Sequence, residues 1–220
     1  FAIAYKDWDI ISIQQASGDS GKPDTYANLD ALMSEVASRA TNPDVQFVFN
    51  MTWAYQADST HAQFPDYNSD QMTMYNAIVN AVQTKVDYTV IPNGTAIQNA
   101  RTSFIGDNLT RDGYHLNLQI GRFIAGLTFV AKVTGMDITD FAYAPAGVTE
   151  EELAVAIESV QNAIKTPFAV TQSLVAGPQD LYIYQGIDNT NRLPIFKGDV
   201  TTLGFNAGEF VQEMYTIATN

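Results

Sequence analysis

The sequence has no cysteine and few basic residues, and these two shortages exclude several classes of protein. Without cysteine, the chain forms no disulfide, no thiolate metal site and no cysteine nucleophile. Eleven lysines and arginines oppose 24 aspartates and glutamates, which gives a net charge of −13 at pH 7. Such a surface repels phosphate backbones and anionic lipid, so we expect no nucleic acid as a partner. No apolar run is long enough to cross a bilayer, so we expect no membrane-spanning segment.

The sequence does contain enough apolar material for one sizeable folded domain. Of its 220 residues, 46% are hydrophobic and 11% are aromatic, so disorder is not the expected state. Apolar β-branched runs alternate with segments in which apolar residues recur at helical spacing. This alternation predicts an α/β fold, a layered sandwich built on a parallel sheet. The predicted strands span residues 9–13, 45–49 and 88–91, and the predicted helices lie within residues 26–42, 72–86, 96–101 and 120–134.

Local signals mark the ends of several elements. Asp9–Ile13 contains a short apolar run, which is typical of a strand buried on both faces. Ser69 or Asn68 is the expected N-cap of the second helix, and Gly135 stands where a helix ends on a left-handed glycine. Thr149–Glu152 has the pattern of a capping box and predicts a further amphipathic helix after it.

The pattern divides the chain into three parts. Residues 1–147 are predicted to form the α/β domain, and residues 148–176 an amphipathic helix with a linker. Residues 177–220 alternate apolar positions with turn signals. We therefore expect a small C-terminal appendage there, either β-rich or irregular.

Only two histidines, His61 and His115, are available as an imidazole base. Asp112 precedes His115 by three residues, in a predicted turn that leads into a helix. This spacing lets the carboxylate reach Nδ1 of the imidazole and leaves Nε2 to act as a general base. Open α/β sheets place their active sites beyond the carboxyl ends of the strands, where this turn is predicted. The alternative is a surface turn with an incidental contact.

His61 lies in a loop with several aspartates, which raises the question of a metal site. No His-x-His or His-x-x-x-His spacing accompanies it. We therefore predict a solvated loop histidine and no metal site. A weaker alternative for the function of the protein is a metal-dependent hydrolase that uses His61 and His115.

Four further residues are candidates for contact with a ligand. Trp53 and Tyr55 belong to an aromatic loop after the second strand, which is either a sugar- or acyl-binding platform or ordinary packing over the sheet edge. Gln14 and Gln15 follow the first strand directly. Their side-chain amides either donate to a developing oxyanion or form hydrogen bonds within the loop.

Gly18-Asp19-Ser20 spells the G-D-S string of serine esterases. In those enzymes the string begins right after a strand, so that the serine opens a helix and faces the base. Here it comes well after the first strand, in a loop with glycine, lysine and proline. Ser20 is therefore not favoured as the nucleophile.

Four sequence blocks follow one another along the chain: W-D-I-I-S-I-Q-Q (Trp8–Gln15), T-W-A-Y (Thr52–Tyr55), I-P-N-G-T-A-I-Q-N-A-R (Ile91–Arg101) and D-G-Y-H…G-R-F (Asp112–Phe123). Taken together, they resemble SGNH/GDSL-type serine hydrolases, and more narrowly a bacterial branch of them that is often predicted to be exported. The resemblance implies a flavodoxin-like, three-layer α/β/α sandwich and the hydrolysis of esters, often of acyl groups on carbohydrates. It also implies export to the periplasm, the cell surface or the medium.

The resemblance assigns the catalytic Asp and His of the family to Asp112 and His115. Gln14 and Gln15 stand where the family offers an asparagine to the oxyanion hole. The nucleophile block of the family lies well before these blocks, and only eight residues precede Asp9 here. We therefore expect the chain to be the C-terminal part of a larger enzyme whose nucleophilic serine lies upstream. Alternatively, a segment around residues 181–184 fills the gap in the sheet.

These observations predict a serine ester hydrolase that removes a small acyl or acetyl group, from a carbohydrate in our interpretation. Acyl transfer through serine, histidine and an oxyanion hole requires no metal or nucleotide, so we expect no cofactor. The alternative is a non-catalytic carbohydrate-binding or surface protein that keeps the same fold.

Overall fold

The computed structural model describes residues 2–177 and the backbone of two later strands, 180–185 and 193–199. It divides the chain into two compact units, Phe1–Val175 and Ala176–Asn220. In the first unit the elements are β1 (Ile10–Ile13), α1 (Leu29–Arg39), β2 (Gln46–Asn50), α2 (Gln71–Lys85), β3 (Thr89–Ile91), α3 (Asn93–Arg101), α4 (Ile120–Thr134) and α5 (Glu150–Lys165).

A three-stranded parallel sheet, in the order β1-β2-β3, lies at the centre of the first unit. Each strand is followed by a helix, and the helices flank the sheet. The predicted α/β class with a parallel sheet is therefore confirmed. The carboxyl ends of parallel strands meet at one edge of a sheet. Accordingly, Gln14 after β1, Asn50 at the end of β2 and Asn93 after β3 share that edge.

β1 is an edge strand and not the doubly buried strand that its apolar sequence predicts. In the part of the chain that the structure describes, β2 is its sole neighbour in the sheet. Ser12 is exposed, while Ile10, Ile11 and Ile13 are only partly buried. A strand with one free side exposes backbone and side chains that a second neighbour would cover.

Two hydrophobic clusters stabilise this unit. One joins the sheet to α1, α2 and the aromatic loop 51–67. The other joins α3, α4 and α5, with Trp53 packed against its margin. The helix predicted within residues 148–176 thus packs against α3 and α4 as part of the first unit. The largest fully buried side chains are Tyr55, Phe64, Met51, Met74, Ile78, Ile91, Ile97, Leu109, Ile124, Val82, Val155 and Val160.

The structure confirms two of the predicted helix ends and corrects a third. Gly135 ends α4 with a φ of +68°, and Thr149 caps α5 in a capping box with Glu152. The N-cap of α2 is Asp70, whose side chain accepts a hydrogen bond from the backbone N–H of Thr73 at 2.7 Å. Asn68 and Ser69, the expected caps, both have positive φ and form the left-handed turn that precedes this cap.

In the second unit, β4 (Asp180–Gln185) pairs with β5 (Leu193–Asp199) as an antiparallel ribbon with an irregularity between Ile183 and Tyr184. The expectation that a segment around residues 181–184 fills a gap in the parallel sheet stays a prediction. The rest of the predicted appendage, 177–220, lies outside the described residues. Among those that are described, no helix is long and apolar enough to span a membrane.

Candidate active site

Asp112 and His115 form the contact that their spacing predicts. Nδ1 of His115 lies 2.7 Å from Oδ2 of Asp112. Oδ1 of the same carboxylate accepts a hydrogen bond from the backbone N–H of His115 at 2.8 Å. The backbone N–H of Arg111 closes the turn by donating to the carbonyl of His115 at 2.9 Å. A carboxylate on Nδ1 orients the ring and leaves Nε2 as the proton-accepting nitrogen.

The electrostatics of this turn keep Asp112 ionised. Desolvation raises the pKa of its carboxyl, but hydrogen bonds from the His115 ring and from the backbone N–H groups of His115 and Tyr114 outweigh that effect. The net result is a pKa of about 2, below the ordinary 3.8. At neutral pH an anionic carboxylate therefore faces the His115 imidazole.

The pair is open to solvent. The side chain of His115 is 51% exposed and that of Asp112 is 38% exposed. Within the described residues, no serine or threonine hydroxyl forms a hydrogen bond with the His115 ring. Nε2 is thus accessible to a group that approaches from outside the turn.

Residues 53–61, which we call the supporting loop, hold this turn from one side. Nε1 of Trp53 donates to the carbonyl of Tyr114 at 2.8 Å. The backbone N–H of Gln56 donates to the carbonyl of Gly113 at 2.8 Å, and the Gln56 side chain accepts a hydrogen bond from the hydroxyl of Thr110. The turn that carries the Asp–His pair is therefore fixed by three polar contacts with one loop.

Gly113, inside this turn, has a φ of +86°. A Cβ atom at this position would lie 3.0 Å from Oγ of Ser59 in the supporting loop. Glycine tolerates this left-handed backbone at no steric cost. The close approach of the supporting loop to the turn thus depends on a residue without a side chain.

Four aromatic rings run in contact from the protein interior to the candidate base. The ring centroids are 4.6 Å apart for Tyr55 and His61, 4.7 Å for His61 and Tyr114, and 4.0 Å for Tyr114 and His115. His61 is therefore not the solvated loop histidine expected from the sequence, because it packs half-buried between two tyrosines. Sequence reasoning also missed Tyr114, although its position directly before His115 was a signal.

The supporting loop is in turn anchored to an ion pair between the buried Arg101 and the partly exposed Asp107, which the sequence did not predict. Nε of Arg101 lies 2.7 Å from Oδ1 of Asp107, and the Arg101 side chain is only 4% exposed. Asp107 also accepts hydrogen bonds from the backbone N–H of Ala57 at 2.7 Å and from Nε2 of Gln71 at 3.0 Å. Burial lowers the pKa of Arg101, and the charge of Asp107 opposes that effect.

Arg101 retains donor capacity that its neighbours do not use. Nη1 donates to Oε1 of Gln98 at 3.0 Å. Nε is close to Asp107 without good hydrogen-bond alignment, and Nη2 is buried with no partner in the region that the structure describes. Asp107 is therefore the principal compensation for a buried positive charge.

Gln14 and Gln15 occupy a different part of the sheet edge from the Asp–His pair. Oε1 of Gln14 accepts a hydrogen bond from Asn50 at 2.8 Å, and Asn93 donates to Asn50 at 2.6 Å, so three amides form a row across the ends of the strands. Gln14 is exposed. Gln15 donates its Nε2 to the carbonyl of Thr25 at 3.1 Å and accepts from its neighbour Ala16, so its amide is used within the loop.

Both glutamines line a cleft of about 300 Å³ between the end of β1 and α1. His115 does not line that cleft. The structure therefore does not join Gln14 or Gln15 to His115 by any contact within the described residues. The other lining residues are Thr25, Tyr26, Asn28, Leu29, Leu32 and Phe49.

Trp53 and Tyr55 differ in what they contact. Trp53 is partly buried and holds the turn through its indole N–H. Tyr55 has no exposed surface, and its hydroxyl is 3.0 Å from Oγ of Ser17. A ring that contacts only protein cannot form a pocket wall, which corrects the expectation for Tyr55. Instead, its ring packs against the rings of His61 and Tyr114.

Ser20 is buried, with 1% exposure. Its hydroxyl donates to the carbonyl of Ser17 at 2.7 Å. Ser20 therefore has neither the access nor the partner that a nucleophile requires. As for metal binding, the described part of the chain contains no group of three or more histidine, aspartate or glutamate side chains that could hold an ion.

Comparisons with known proteins show which family the chain resembles. The family model described as Domain of unknown function (DUF4886) matches residues 1–163. The crystal structure of a DUF4886 family protein from Bacteroides uniformis is 42% identical, with a TM-score of 0.75 over 78% of this chain and 68% of that chain. A protein from Slackia heliotrinireducens, named as a candidate SGNH hydrolase, is 22% identical, with a TM-score of 0.42 over 60% of this chain and 69% of that chain.

The search of curated proteins returns no match. The likeness to the protein from Slackia heliotrinireducens is too distant to carry an argument. The match to the family model extends over most of the chain and includes the turn with Asp112 and His115. The chain belongs to the DUF4886 family.

Proposed function

We propose that this protein is a serine ester hydrolase in which His115 is the general base and Asp112 orients it. The observation that carries the proposal is the 2.7 Å contact between Asp112 and Nδ1 of His115, on an imidazole side chain that is half exposed to solvent. An anionic carboxylate on one ring nitrogen and a free second nitrogen are the two requirements of a histidine base in acyl transfer.

In this proposal Nε2 of His115 removes the proton of a serine hydroxyl while the serine oxygen attacks the ester carbonyl. Asp112 stabilises the imidazolium that forms, and the imidazolium then gives its proton to the departing alcohol. Water repeats the sequence on the acyl-enzyme and releases the carboxylic acid. Every step uses protein side chains and water, so the proposal includes no cofactor.

We propose that the serine comes from a segment that precedes Phe1, as the resemblance to SGNH hydrolases implies. Two features support this. Among the described strands, none lies on the outer side of β1, and an apolar hollow of about 260 Å³ lies beside it. A parallel strand in that position would end next to Gln14, whose exposed amide is our candidate for an oxyanion or substrate contact. Ala2, Ile3, Trp8, Ile10 and Ile11 line the hollow.

The proposed substrate is a small acyl or acetyl ester, on a carbohydrate in our interpretation. Trp53 combines partial exposure with a hydrogen bond to the turn of the base. Indole rings are suited to such a role because they offer a rigid apolar face and a polar edge. The carbohydrate and the export of the protein are carried over from the resemblance.

A fluorophosphonate probe tests the proposal on protein expressed with its upstream coding sequence. We expect one adduct on an upstream serine, which the variant His115→Ala loses and the variant Ser20→Ala retains. An adduct on Ser20 would contradict our assignment. Absence of any adduct, combined with glycan binding, would replace the hydrolase with the alternative from the sequence, a non-catalytic carbohydrate-binding protein.

A further inference from the structure

We propose that His61 is a positioning residue for His115, which it holds in place through the ring of Tyr114. The effect of His61 on catalysis rests on the proposed function, whereas its effect on the placement of the His115 ring does not depend on that function. The sequence pattern predicted a solvated loop histidine at this position, with metal binding as a lesser alternative, and neither is the role proposed here.

The ring contacts define a connected column. His61 packs against Tyr114 with a centroid distance of 4.7 Å at 65°, and Tyr114 packs against His115 at 4.0 Å. Tyr55 contacts both His61, at 4.6 Å, and Tyr114, at 5.8 Å. The Tyr114 ring thus has three aromatic neighbours, of which His61 is the closer of the two on the supporting loop.

The column is anchored at its inner end. Tyr55 is completely buried and its hydroxyl is bonded to Ser17. Nδ1 of His61 accepts a hydrogen bond from the backbone N–H of Gln63 at 3.2 Å, and the backbone N–H of His61 donates to Oγ of Ser59 at 3.3 Å. His61 is therefore held by its own loop, independently of the turn that it supports.

The outer end of the column needs such support. His115 is half exposed, and its ring contacts Asp112 and Tyr114. A base must be held close to the proton that it removes, and misplacement by about 1 Å costs on the order of 100-fold in rate. Fixing Tyr114 therefore restricts the movement of the catalytic ring.

The contacts of His61 favour stacking over proton transfer as its role. Its ring faces two tyrosine rings, and its Nδ1 is occupied by a backbone N–H. A phenylalanine at this position keeps an aromatic ring of similar size and removes both nitrogens. A leucine keeps apolar volume and removes the aromatic ring. The two variants therefore separate the two roles.

The first experiment needs no activity. Because the chain has two histidines, each variant at position 61 leaves His115 as the sole source of imidazole Cε1–H signals in a proton NMR spectrum. In the 220-residue chain, we expect His61→Phe to keep the wild-type position of the His115 signal. We expect His61→Leu to move it towards the position measured in Tyr114→Leu, where the stacked ring is absent. An unmoved signal in His61→Leu would overturn the proposal.

The second experiment uses the protein with its upstream segment and an ester substrate. We expect His61→Leu to lower kcat by roughly tenfold to a hundredfold with little change in KM, and His61→Phe to retain kcat. Equal losses in both variants would show that an imidazole nitrogen is required, and would overturn a stacking role. If wild-type protein has no esterase activity, the proposed function fails while the NMR result still decides the position.

Thermal unfolding accompanies both experiments, so that a folding defect is recognised. If His61→Leu does not fold, His61→Ala replaces it, because it removes the ring without adding a branched side chain. A signal that stays at the wild-type position in a folded His61→Ala protein overturns the proposal in the same way.

Discussion

Asp112 binds His115 through both of its carboxylate oxygens, one to the ring Nδ1 at 2.7 Å and one to the backbone N–H at 2.8 Å. The carboxylate therefore orients the ring and the backbone together. Neither side chain is part of a buried hydrophobic cluster, so we expect the pair to contribute little to the stability of the fold.

Replacing His115 with alanine is expected to lower ester hydrolysis on the order of a thousandfold, because the general base is lost. The melting temperature is expected to stay nearly unchanged, because the side chain is half exposed. Initial rates and thermal unfolding of the protein with its upstream segment measure both. Leu118→Ala, at an exposed position three residues further on, is the matched control and should keep full activity. Undiminished turnover in His115→Ala would remove this residue from the mechanism.

The lowered pKa of Asp112 predicts how the turn responds to acid. Hydrogen bonds to its carboxylate hold the pKa at about 2, against an ordinary 3.8, although desolvation acts in the opposite direction. The ionised Asp112 carboxylate therefore stabilises the folded protein fully above about pH 4, and this stabilisation is lost as the pH falls towards 2. Carbon-13 NMR of the Asp112 carboxyl group measures this directly. In His115→Ala the midpoint should rise towards the ordinary value, and an unchanged midpoint would show that His115 is not responsible.

The ion pair of the buried Arg101 predicts an unequal response to single and double substitution. Asp107→Ala leaves Arg101 buried without its counter-charge, and we expect a loss of about 3 kcal/mol in the free energy of unfolding. Arg101→Met combined with Asp107→Ala removes the buried charge as well and should lose less than Asp107→Ala alone. Urea denaturation compares the three proteins. A double variant that is less stable than Asp107→Ala would contradict this account.

Two glycines with positive φ provide a matched pair of variants. Gly113 has a φ of +86° and would place a Cβ atom 3.0 Å from Oγ of Ser59. Gly106 has a φ of +58° and open space around the same position. Both alanine variants carry the cost of a left-handed backbone, about 1–2 kcal/mol, but Gly113→Ala also pushes against the supporting loop. We expect Gly113→Ala to be the less stable and to lose activity, while Gly106→Ala keeps its activity.

Local sequence patterns predicted the parts of the structure that depend on neighbouring residues. Residues close together in the chain determine three of these features. They are the alternation of strands and helices, the end of α4 at Gly135 and the capping box at Thr149. The Asp112–His115 contact belongs to the same class, because only three peptide bonds, arranged in a tight turn, separate the two residues. Its catalytic role stays a prediction.

Contacts between distant segments were not predictable in this way. The sequence predicted the same possible role, contact with a ligand, for Trp53 and Tyr55. In the structure Tyr55 is fully buried, whereas Trp53 donates its indole N–H to the turn that carries His115. His61 had no spacing that marked it, and its contact with Tyr114 joins residues 53 positions apart in the chain. The edge position of β1 likewise depends on which strands lie beside it.

The physical reason for this division is the range of the interactions involved. Helix caps, tight turns and the periodicity of apolar residues act over a few peptide bonds, so the order of residues is enough to specify them and, with them, the α/β class. The column of rings arises when the supporting loop packs against the turn of His115, and the edge position of β1 depends on which strands pair with it. Packing selects among many compatible partners by burial and shape, and that selection is made by the folded chain as a whole.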